Sequence, residues 1–131
     1  MIGGIDIVIP HANREQAAVA SLRVIRRFWR DAVVEDAYTG KKTHLTRDAL
    51  LPEVTDVFVY PDMETADKWD RLGAEPELAN TMIHILVRDS AVTLVVDDPD
   101  SGTIAAIISG LRAMLSMYIF SPHARAKGAA A

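Results

Sequence analysis

The chain is predicted to fold as an α+β structure, a two-layer antiparallel or mixed sheet of about five strands with about three helices packed mainly on one face. Three observations lead there. Short runs rich in β-branched residues fall at 5–9, 55–60, 81–87 and 92–96, and each is bounded by Pro, Gly or polar residues. Three other segments repeat apolar residues at helical spacing. The last two β-runs are separated only by Arg88, Asp89, Ser90 and Ala91, a hairpin connection that makes them antiparallel neighbours.

At the N-terminus, Ile5, Ile7 and Ile9 lie on one side of an extended segment that Pro10 stops. Asn13 with Gln16 three positions on has the form of a capping box. Ala18, Leu22, Ile25 and Trp29 then recur at helical spacing to about Arg30. Residues 33–44 mix β-branched and polar types around Thr39-Gly40, which predicts a short hairpin or bent strand. In 55–60, Val57 and Val59 alternate with Phe58 and Tyr60 before Pro61, a strand read as buried on both faces.

Asp62 is placed to cap a second helix with Met63, Ala66, Trp69 and Leu72 as its apolar stripe and Gly73 as its stop. A looser connection over 74–80 leads to the hairpin. The last helix starts near Asp100 or Ser101 and carries Ile104, Ile108, Leu111 and Leu115, with Ile107, Met114 and Tyr118 widening the stripe. One domain is expected over 1–120, and a frayed tail over 121–131.

The 131 residues are 50% hydrophobic and 24% charged, the composition of a globular chain rather than a disordered one. No run is long enough to span a membrane, and the first residues lack the basic flank of a signal peptide, so the cytoplasm is the expected compartment. With no cysteine, thiolate metal sites, thiol nucleophiles and disulfides are excluded. The net charge is −4, which disfavours nucleic acid as a partner. Residues 1–48 hold eight Lys/Arg against six Asp/Glu, whereas 49–77 hold eight Asp/Glu against Lys68 and Arg71 alone. The acidic surplus therefore sits in the middle of the chain.

Candidate chemistry is sparse. Asp97, Asp98 and Asp100 form the densest carboxylate group, but an EF-hand register begun at Asp98 puts Gly102 at the fifth position and Ser109 at the closing one. A capped turn is the preferred reading, with a cation site as the alternative. His84 lies in the middle of an apolar strand, where a hydrogen-bonded structural histidine is the simpler reading. An acid–base role would need an orienting carboxylate, for which Asp97 on the neighbouring strand is the candidate. His11, His44 and His123 fall in predicted loops or the tail with no ligand spacing. Arg23, Arg26, Arg27 and Arg30 are read as the solvated face of the first helix. No nucleophile elbow, dinucleotide loop or phosphate-binding loop occurs.

The functional expectation follows from the strand at 81–87, where Met82, His84 and Leu86 alternate with Ile83, Ile85 and Val87. Both of its sides are apolar, yet the chain's own helices are expected to cover one. The sequence thus reads as a small non-catalytic protein-interaction module, of a bacterial inhibitor or immunity type, that self-associates as a dimer or binds another protein. Asp62, Glu64, Asp67, Trp69 and Asp70 are the candidate partner-binding residues. No cofactor and no membrane partner are expected. The alternative is a small-molecule-binding protein or enzyme using His84 with Asp97 in a sheet-edge pocket.

Overall fold

The structure, a computed structural model, describes residues 4–46 and 55–120. The expected tail over 121–131, His123 within it, and the side chain of Tyr118 lie outside the described residues. The elements run β1 (Ile5–Pro10), α1 (Arg14–Phe28), β2 (Val33–Asp36), β3 (Lys42–His44), β4 (Asp56–Tyr60), α2 (Met63–Leu72), β5 (Ile83–Val87), β6 (Ala91–Val96) and α3 (Gly102–Phe120). A 3-10 turn, Pro76–Leu78, follows α2.

The strands form one sheet in the order β1-β6-β5-β4-β2-β3, with every neighbouring pair antiparallel. The α+β class is as expected, with six described strands because Lys42–His44 pairs with β2 as a strand of its own. The turn between β2 and β3 is fixed locally. Asp36 accepts from the amides of Tyr38 and Thr39, and Gly40 takes the positive φ of 73° that a side chain would resist. Those amide bonds hold the Asp36 carboxyl below the usual range. Pro10 ends β1 without disturbing the ladder, since β1 is an edge strand and needs donors on one side only.

Directly paired residues share a face, so the register divides the sheet in two. Ile9, Val57, Val59, Ile83, Ile85, Val87, Val92, Leu94 and Val96 lie on the first face, in one apolar cluster with Leu22, Ile25, Ile104, Ile107 and Leu111 of α1 and α3. Fully burying each such Leu or Ile contributes about 1.5–3 kcal/mol. The two helices meet closely at Gly110, where a Cβ would stand 3.2 Å from Val24 Cγ1. Asn13 caps α1 by accepting the Gln16 amide at 2.9 Å, as its sequence position implies. His11, expected in a loop, is buried there. Its Nε2 lies 2.6 Å from the Arg88 carbonyl and its amide donates to Ser90, tying the end of β1 to the β5–β6 turn.

On the second face, α2 covers only one end. Val33, Tyr60, Ala66, Trp69, Leu78 and Met82 make a separate small cluster there, with Phe58 and Met63 against it. Asp62 accepts the Thr65 amide at 2.7 Å and Gly73 stops the helix at φ 72°, both as expected. Leu72 departs from the expected stripe and is 42% exposed. At about 100° per residue a spacing of three drifts backwards, so a position nine residues after Met63 points to the opposite side.

Candidate functional site

Beyond the reach of α2, the second face presents a row of side chains from four strands. The register sets Phe58 beside His84, His84 beside Val95, and Val95 beside Asp6; the neighbouring row sets Asp56 beside Leu86, Leu86 beside Thr93, and Thr93 beside Val8. All are partly or fully exposed among the described residues, and Val8 is 61% exposed. The opposite face of the same strands is packed by α1 and α3, with Ile5 at the β1 edge left 44% exposed. The two-sided apolar character expected of 81–87 is thus present: Ile83, Ile85 and Val87 are buried, while His84 and Leu86 look out.

His84 stands at the centre of this surface. Its ring stacks on Phe58 with centroids 4.5 Å apart and an interplanar angle of 29°. Its Nε2 donates to Asp56 Oδ1 at 2.6 Å, and the two side chains are 24% and 19% exposed. A carboxylate accepts, so Nε2 carries the hydrogen.

The carboxylate that meets Nε2 of His84 is Asp56 of β4, on the other side of β5 from the strand that Asp97 follows. Asp97 accepts the Asn80 amide at 3.1 Å. Around it, Asp98 Oδ1 accepts the Asp100 amide and Asn80 Oδ1 accepts the Asp98 amide. These bonds tie the β6–α3 turn to the loop before β5, and hold Asn80 in a left-handed conformation at φ 63°. Among the described residues no group of three metal-capable side chains is brought together, at this turn or elsewhere.

The acidic candidates divide by role. Glu64, Asp67 and Asp70 are exposed on α2, with Glu64 3.7 Å from Lys68 and Asp70 paired to Lys42. Asp62 is occupied as the helix cap, and its bonds to Thr65 lower its pKa. Trp69 is only 8% exposed and donates its indole N–H to Thr81 Oγ1, so it packs inside the second cluster. Lys42 also reaches Glu35 at 3.7 Å, and Glu35 accepts from the Tyr60 hydroxyl at 3.2 Å. This chain of contacts fastens α2 to β2, β3 and β4. Burial, and then the negative charge of Glu35, push the Tyr60 hydroxyl pKa well up, while the hydrogen bond to Asp70 raises that of Lys42.

Sequence reasoning singled out His84 but not Asp56, Phe58 or Val8. The alternation in 55–60 and 81–87 carried the signal that each strand has a second side. Which residues share that side depends on strand order, which alternation does not encode. No helix among the described residues is long and apolar enough to cross a membrane. The chain has no match among protein-family models, curated proteins or solved structures.

Proposed function

We propose that this chain is a non-catalytic protein-binding module that docks a basic protein through the second face of its sheet and the acidic flank of α2. The observation that supports it is the unequal covering of the sheet. One face packs two helices, and the other, from Val8 to Phe58, meets α2 only at the β2 end. Half-buried apolar side chains ringed by charged ones are the usual anatomy of a docking patch.

Charge selects the partner. Glu64, Asp67 and Asp70 border one end of the patch and Asp6 the other. A two-fold contact with a second copy would set carboxylates against carboxylates, whichever end met which. A basic partner gains from the same arrangement in encounter rate and register. An inhibitor or immunity-type role fits a small acidic chain of this shape.

Affinity capture from a lysate of the source cells, followed by sedimentation of the isolated chain, tests the reading. The expected result is retention of a basic protein, released by salt and abolished by Val8→Asp or Leu86→Asp, with the chain alone monomeric. Retention unchanged by both substitutions, or dimerisation through the same face, would contradict it.

A second reading draws on the His84–Asp56 pair, in which a carboxylate orients a partly accessible imidazole. It makes the chain a small-molecule-binding protein or enzyme. A small-molecule thermal-shift screen in which a ligand stabilises the wild type but not His84→Gln would support it. A screen in which every stabilising ligand acts equally on both would end it.

A further inference from the structure

Among the described residues the acidic chain has a basic hollow at the C-terminal end of α1. Arg26, Arg27 and Arg30, with Asp31, line a depression of about 520 Å³. Three ion pairs are formed among the described residues, by Lys42 with Glu35 and Asp70 and by Lys68 with Glu64, and none involves these arginines. The Nε–H of Arg26 is moreover shut away from solvent without an acceptor. Buried donors are rarely left unpaired, and one that is calls for an explanation.

A solvated face accounts for the exposure of Arg23, Arg27 and Arg30, of which Arg23 does not line the hollow. It does not explain why three arginines line one depression with Asp31 as the one carboxylate beside them among the described residues. Attraction to the helix dipole accounts for a cation in the last turn, but not for three arginines beside one depression.

We propose that this hollow binds the phosphate group of a small phosphate monoester. The three arginines less Asp31 leave a surplus of two positive charges, which matches a monoester carrying about −1.5 to −2 near neutral pH. Guanidinium forks suit phosphate oxygens, which can each accept from two parallel donors. The hollow is also larger than a bare phosphate needs and falls in the size range of small-molecule sites, about 300–1,000 Å³. The organic part of the ligand takes up the difference. This site is independent of the sheet face and stands or falls separately.

Calorimetric titration of the full chain with phenyl phosphate, inorganic phosphate and benzoate at matched ionic strength tests it. Saturable binding is expected for phenyl phosphate, weaker for inorganic phosphate, weakest for benzoate, and falling with salt. Arg26→Lys and Arg30→Gln should each weaken phenyl phosphate binding by about ten-fold or more, while Arg23→Gln leaves it unchanged. Arg26→Lys keeps the charge and removes the fork, so its loss separates a shaped site from a general field, and circular dichroism confirms that each variant is folded. Absence of saturable binding, equal binding of benzoate, or indifference to both lining substitutions overturns the proposal. So does a length-dependent preference for single-stranded oligonucleotides, which would make the arginines a nucleic-acid surface.

Discussion

His84 and Asp56, from adjacent strands, meet at 2.6 Å in the middle of the sheet face that the two long helices leave uncovered. The pair is about one-fifth exposed, so water screens it and its net worth is modest. Breaking it is another matter. His84→Leu leaves the Asp56 carboxylate partly buried without its donor, and about 1–3 kcal/mol should be lost in urea denaturation. The double variant His84→Leu/Asp56→Val should recover most of that loss, because two apolar side chains of fitting size leave no polar group unpaired. A double variant as unstable as the single one would show that the cost lies in the lost stacking on Phe58.

Capping of α2 gives a pH signature. The Asp62 carboxyl has a lower pKa folded than its usual 3.8, through its bonds to Thr65. Between the two values the unfolded chain binds more protons, so this stabilisation is complete above the unfolded value and disappears as pH falls through the folded one. Asp62→Ala should cost about 0.5–2 kcal/mol at neutral pH, and the gap to wild type should close on acidification below pH 3.8. Denaturation midpoints measured across that range decide it.

At the alkaline end the sign reverses. Tyr60 and Lys42 both have raised pKa values, from ordinary ones of 10.0 and 10.5. Their contributions are therefore fully present below those values and are lost as pH rises through the folded ones. The wild type should lose stability above about pH 10, and Tyr60→Phe, which has no hydroxyl to ionise, should lose less. Identical alkaline profiles for the two would remove Tyr60 from the account.

Gly110 marks where α1 and α3 touch. With Val24 Cγ1 already 3.2 Å from the position of a Cβ, Gly110→Leu must push the helices apart and should cost about 1–3 kcal/mol or more. Gly110→Ala should cost far less, since better helix propensity, about 1 kcal/mol, offsets the crowding. Thermal denaturation of both variants checks the ordering.

These particulars show what local sequence carries. Asn13, Asp36, Asp62, Gly40 and Gly73 each act within a few residues of themselves, and the caps and turns built on them stand where their spacing implies. The strand alternations likewise separate buried from outward positions in β5. Other features depend on residues distant in sequence. His84 meets Asp56 across 28 residues, and choosing Asp56 over Asp97 requires knowing that β4 and β6 flank β5 on opposite sides. Leu72 fails for a simpler reason, because a strict three-residue spacing is not the helical period. Arg23, Arg27 and Arg30 are exposed, as the solvated stripe implies, while the hollow that Arg26, Arg27 and Arg30 line is not contained in a one-dimensional pattern.

The most direct test of the docking face is methyl-resolved NMR of the chain with its captured partner. Signals of Val8, Leu86 and Val95 should shift on binding, while those of Leu111 and Val24, sealed between the helices, remain in place. Shifts confined to the outer surface of α1 and α3, with Val8, Leu86 and Val95 unmoved, would contradict the proposed function.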